Sequence, residues 1–204
     1  MHTMLEFADE DGIKKLVQDD VYGYGDFCWI DFEDEESLNE LSGQEMAELL
    51  YLGHYKDHLR PPFYRKLGNN FSYLAHDDGW FNKTYYRSLD HFYSMLGHVI
   101  SEKLGYKKEK SLLGRWKKKE FPAVPAEVLF PFIRYMKEGI VFSIEKAERN
   151  RLQIEIPVWI MGDFYDMDAM YEEYEMLEDR VPDGRIVLDR KTGEWQAYAK
   201  GVKA

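Results

Sequence analysis

The chain has 204 residues, 45% hydrophobic and 16% aromatic, with one cysteine and a formal net charge of −11. That length and apolar content give a buried core and set aside intrinsic disorder, while a single thiol leaves no internal disulfide. A pI near 5.1 is the reverse of the balance a dedicated nucleic-acid binder carries, which weighs against nucleic acid as a partner.

The N-terminal stretch MHTMLEFADEDG is acidic and lacks the basic and apolar regions of a secretory signal. No apolar run approaches the ~20 residues of a membrane span, so a cytoplasmic setting without membrane contact is expected. The sequons at Asn70 and Asn82 then carry no message. A short helix is expected around Ile13 to Gln18, then a Gly-rich link, Tyr22 to Gly25, that matches neither dinucleotide nor phosphate-loop spacing. Phe27 to Phe32 reads as a strand. Cys28 within it reads as a small buried apolar residue rather than a nucleophile.

Ser42 and Glu45 have capping-box spacing, so a helix should start there and run through Met46, Leu49 and Leu52 to Gly53. From Asp26 to Glu48 there are nine carboxylates and no Lys or Arg. Such a field either draws in a basic partner or a divalent ion, or serves as a solvated face. His54 and His58 stand four apart, a helical metal-ligand spacing, although Tyr55 occupies the position where a zinc protease carries glutamate. Pro61 to Tyr64 has the PPxY pattern of WW-domain ligands and reads as a turn within a folded region.

Asn70 to Arg87 is the clearest hairpin: two aromatic runs around Asp77-Asp78-Gly79. His76, Asp77 and Asp78 at its tip, with His54 and His58, form a candidate Zn or Mn site. Trp80, Phe81 and Tyr85 would supply the wall of a pocket or interface. The plainer reading is ordinary turn chemistry. Ser88 then caps a helix to about Leu104, whose inner face should be Leu89, Phe92, Leu96, Val99 and Ile100. His91 and His98, seven apart, share a side of it.

After Gly105 the charge reverses. Lys103 to Lys119 holds eight Lys or Arg against Glu109 alone. Lys107, Lys108, Lys110, Arg115, Lys117, Lys118 and Lys119, with Tyr106 and Trp116 interleaved, could contact phosphates and stack bases. Two other readings are an exposed connector between lobes and a patch that pairs with an acidic surface of this chain or a second copy.

Further on, a helix is expected from about Ala126 to Lys137, broken near Phe130 by Pro131. Strands over Ile140 to Lys146 and Leu152 to Met161 follow, and Pro157 should mark an edge or a bulge. An acidic helix ends near Asp179, its inner face Met167, Met170, Tyr171, Tyr174 and Leu177. Asp166 and Asp168 read as cap and first-turn acids, because the rest of a calcium loop is missing. Arg185 to Asp189 and Glu194 to Ala199 close the chain as a hairpin around Lys191-Thr-Gly193.

Local hairpins outnumber βαβ units, so the class is α+β: a mainly antiparallel sheet with about four to five packing helices. One domain over residues 1–204 is expected; if the chain divides, the boundary falls near 105–120. No motif of a common enzyme class is present. The leading expectation is a protein-binding module, inhibitor- or immunity-like, whose acidic faces engage a basic partner. The alternatives are a metal-dependent, hydrolase-like enzyme built on His54, His58, His76, Asp77 and Asp78, and nucleic-acid contact through 103–119.

Overall fold

Antiparallel pairing accounts for every strand in a computed structural model of the protein, which describes residue 11 and residues 27–50, 63–76, 81–110, 116–162 and 167–200. The class is α+β, as the hairpin-rich sequence implies. The chain divides into two units, Met1–Leu89 and Asp90–Ala204.

In the first unit, strands β1 (Phe27–Ile30), β2 (Phe71–His76) and β3 (Phe81–Tyr86) form a sheet in that order. The hairpin registers His76 against Phe81 and Phe71 against Tyr86. Central β2 turns Ser72 and Leu74 inward, and Leu74 joins Leu38, Leu49 and Leu67 in a small core. Leu38 comes from helix α1 (Glu35–Asn39), whose first turn is capped where the Ser37 amide donates to Asp34 Oδ1 at 2.8 Å. Leu49 comes from helix α2 (Gly43–Leu50). The capping box is present: the Ser42 amide donates to Glu45 Oε2 at 2.7 Å and the Glu45 amide to Ser42 Oγ at 3.2 Å. Asp31, just beyond β1, accepts the amides of Asn70 and Phe71 at 2.7–3.0 Å and so ties the end of one strand to the start of the next. The helix expected around Ile13 to Gln18 and the prolines of the PPxY stretch lie outside the described residues.

The second unit is built on the sheet order β10-β9-β8-β6. These are β6 (Ile140–Phe142), β8 (Gln153–Ile160), β9 (Gly184–Asp189) and β10 (Trp195–Ala199), with the two-residue β7 (Glu148–Arg149) also pairing β8. Ile154, Ile156, Val158, Ile186 and Leu188 alternate inward. They meet Tyr93 and Ile100 of helix α3 (Leu89–Lys103) and Leu129 and Phe132 of the next helical segment. That segment is α4 (Ala126–Leu129), a 3-10 turn at Phe130–Phe132, and α5 (Ile133–Met136). Pro131 sits in the 3-10 turn, where the helix was expected to break. Helix α6 (Met167–Met176) continues into a 3-10 turn that buries Leu177.

Four expectations need correction. The strand expected over 140–146 leaves its partner after Phe142, and residues 143–147 bulge before β7 resumes the ladder. Pro157 explains the bulge. Its carbonyl accepts the Ser143 amide at 3.1 Å, so its nitrogen faces the same side and offers no donor to the strand there. In α3, Ile100 is buried and Phe92 and Leu96 pack against the core as expected, but Tyr93, Gly97 and Ser101 are buried too, whereas Leu89 and Val99 are 64% and 39% exposed. The helix is rotated because Gly97 lets it rest on Val124, whose amide donates to the Gly97 carbonyl at 3.1 Å. Tyr171, expected on the inner face of the acidic helix, is 53% exposed, and Leu152, expected to open the strand that runs to Met161, is 74% exposed. Leu152 lies one residue outside β8, so the alternation of that strand does not reach it.

Candidate anion-binding ribbon

The basic segment is no extended connector. It folds into a third sheet, a two-stranded ribbon of β4 (Tyr106–Lys110) and β5 (Trp116–Glu120), within the second unit. Three contacts pin its foot. Gly105, at φ +81, takes the left-handed conformation that ends α3 and turns the chain into β4. Arg149 Nη1 then holds the Leu104 carbonyl at 3.2 Å, and Lys107 Nζ donates to the Arg190 carbonyl at 3.0 Å. After β5 the indole of Trp195 donates to the Pro122 carbonyl at 2.9 Å.

The register sets Lys107 opposite Lys119 and Lys108 opposite Lys118. Directly opposed residues share a face of a ribbon, and successive residues alternate. Lys107, Lys117 and Lys119 therefore fall on one face, and Tyr106, Lys108, Lys118 and Glu120 on the other. Lys108, Lys117, Lys118 and Lys119 are exposed and Lys107 is half-buried. Lys118 Nζ lies 4.3 Å from the centroid of the Tyr106 ring, a cation–π contact at an exposed site. Like charges directly opposite each other destabilise a sheet; the Arg190 carbonyl on Lys107 and the Tyr106 ring under Lys118 each offset part of that cost.

A shallow cleft of about 90 Å3 lies between the ribbon foot and the β9–β10 turn, with Lys107, Lys119, Arg190 and Lys191 around it and Phe121 and Pro122 in its wall. Glu120 and Asp189 also line it. The Asp189 carboxylate is held by the amides of Thr192 and Lys191, which keep its pKa below the usual range. Pockets for drug-sized ligands span roughly 300–1,000 Å3, so this cleft is too small to enclose a whole metabolite.

Of the other residues singled out from sequence, His54, His58, Asp77, Asp78, Trp80 and Arg115 lie outside the described residues. His76 and Phe81 pair across the end of the β2–β3 hairpin, and Lys110 pairs with Trp116, but only their backbones are described. Tyr85 packs against the first unit's core, and burial raises its phenol pKa. His91 and His98 are both exposed on α3. Among the described residues, no three His, Cys, Asp or Glu side chains are grouped to hold a metal ion, and no helix is long and apolar enough to cross a membrane. The Cys28 thiol donates to the Leu49 carbonyl at 3.4 Å, and burial pushes its pKa up to about 11, so it stays protonated and unreactive near neutrality.

A second polar cluster was invisible in the sequence because its members lie 31 residues apart. Ser143 Oγ and Tyr174 OH are 2.7 Å apart, and Tyr174 OH donates to Glu145 at 3.5 Å. Ser143 is 2% exposed, so the pair fastens α6 to the bulge after β6 rather than facing a substrate.

No family model, curated protein or solved structure matches the chain.

Proposed function

We propose that the protein is a binding module that holds an anionic partner through the β4–β5 ribbon. The carrying observation is the pairing of Lys108 with Lys118 on a ribbon that also exposes Lys117. The repulsion within that pair is offset when an anion lies between or across it. The ten strand residues carry six lysines against Glu109 and Glu120, a local charge of +4 in a chain whose net charge is −11. A protein of that net charge should be repelled by a polyanion, so retention of one by this protein is diagnostic of the ribbon. The test is a titration with fluorescent heparin oligosaccharide at about 25 mM salt. Saturable binding that Lys117→Gln/Lys118→Gln weakens supports the reading; no binding, or equal binding by the variant, ends it.

A second reading, engagement of a basic protein by the first unit, is favoured by one observation. Asp31, Asp34 and Glu45 are committed to backbone amides, whereas Glu35, Glu36 and Glu40 are exposed and make no ion pair among the described residues. It predicts low-salt binding to a lysine-rich peptide that Glu35→Gln/Glu36→Gln/Glu40→Gln abolishes. Unchanged binding by that variant would remove the reading. The metal-dependent enzyme reading rests on side chains outside the described residues and gains no support here.

A further inference from the structure

We propose that the anionic partner of the ribbon is a second copy of this chain, whose helix α6 lies across the open ribbon face; this rests on the anion-binding reading above. That face carries Lys108 and Lys118 directly opposite each other, with Tyr106, 46% exposed, beneath Lys118 and Glu120 beside it at the foot. Neither lysine makes an ion pair among the described residues. The outer face of α6 is the complement. Glu172, Glu175 and Asp179 are exposed and, three and four residues apart, form one stripe along the helix and the 3-10 turn that continues it. Tyr171 and Met176, 53% and 57% exposed, flank them. These three carboxylates make no ion pair among the described residues. Arg180, the next cation along the chain, is committed to Glu173 at 2.8 Å and to the Ile160 carbonyl at 3.1 Å.

Two costs on this helix face point to a cationic partner. Carboxylates at that spacing repel one another. They also sit toward the helix C-terminus, where the macrodipole favours positive charge and the last turn holds no base. Lysines laid across the stripe offset both costs, and the carboxylates in turn offset the repulsion between Lys108 and Lys118. Apolar groups then meet where charge is neutralised, Tyr106 from the ribbon and Tyr171 and Met176 from the helix. Both faces belong to the second unit, so one kind of molecule supplies both halves of the contact. Few charges are involved and copies of net charge −11 repel, so the association is weak and salt-sensitive.

Sedimentation equilibrium tests this, with protein at about 200 µM in about 25 mM and about 300 mM salt. The expected result is a mass above the 24.3 kDa of one chain at low salt that falls to that value at high salt. Lys108→Glu/Lys118→Glu and Glu172→Lys/Glu175→Lys should each weaken self-association about tenfold or more. An equimolar mixture of the two should restore it, because the reversed ribbon of one meets the reversed helix of the other. Both variants stay net negative, so overall charge does not bring them together. Arg134→Gln/Lys137→Gln, which removes exposed cations outside the ribbon, should associate like the parent. Glu172→Lys/Glu175→Lys should bind fluorescent heparin at least as tightly as the parent, since its ribbon is intact. A parent protein that stays monomeric at low salt overturns the second-copy assignment; if it still binds heparin, the anion-binding reading stands with another anion as the partner. Self-association that the reversed variants keep, or that their mixture does not restore while each melts like the parent, overturns the pairing of these two faces. Absence of both self-association and heparin binding removes both readings.

Discussion

A Cβ placed on Gly97 would lie 2.0 Å from the backbone oxygen of Val124. Helix α3 and the segment before α4 meet at that point backbone to backbone. Alanine is the better helix former by about 1 kcal/mol, yet here it would push apart two elements of the second unit's core. Gly97→Ala should therefore destabilise by about 1–3 kcal/mol net of that propensity gain. Urea denaturation followed by tryptophan fluorescence checks this, and a midpoint at or above that of the parent protein would contradict the close approach.

Asn69 is fully buried, and its side chain links the two ends of the turn before β2. Its Oδ1 accepts the Tyr64 amide at 2.7 Å, and its Nδ2 donates to the Phe71 carbonyl at 3.3 Å and to Ser72 Oγ at 3.2 Å. Asn69→Leu keeps the branched outline at a larger volume and removes these bonds from the Tyr64 amide and the Phe71 carbonyl. The expected loss is about 1–3 kcal/mol per unsatisfied group. Amide exchange read by NMR should show the Tyr64 amide losing protection in the variant; retained protection would mean that the Asn69 bond does not hold it.

Glu45 supplies a pH dependence. The Lys66 ammonium 2.6 Å away, and then the backbone and side chain of Ser42, lower its pKa from the usual 4.5 to about 2. A carboxylate depressed on folding stabilises the folded state above its unfolded pKa, and that contribution disappears as pH falls through the folded one. The advantage of the parent protein over Glu45→Gln should thus be constant above about pH 5 and shrink between about 4.5 and 2. Denaturation midpoints of both proteins at pH 7, 4 and 2.5 measure it. A difference that does not vary over that range would show that Glu45 makes neither contact in solution.

Much of the fold was legible because its signals are local. The Ser42–Glu45 box, the break at Pro131 and the β2–β3 and β9–β10 hairpins each depend on residues within a few positions of one another. The inner face of α3 was misjudged because hydrophobicity ranks Leu89 and Val99 above Gly97 and Ser101, whereas the contact depends on the absence of a side chain. The ribbon residues stood out by charge, but their strand geometry did not. Lysine-rich runs have weak strand propensity. The contacts that fix the ribbon foot join residues 45, 73 and 83 positions apart: Arg149 with Leu104, Trp195 with Pro122, and Lys107 with Arg190.

The most direct test of the ribbon's role is a single charge reversal, Lys108→Glu, assayed for both stability and heparin affinity. It replaces the repulsion across from Lys118 by an attraction, so the variant should be as stable as the parent, or more so by about 0.2–1 kcal/mol. Its affinity for heparin should nevertheless fall about tenfold or more at low salt. Unchanged or stronger heparin binding by a folded Lys108→Glu protein would contradict the assignment of the ribbon as the anion-binding element.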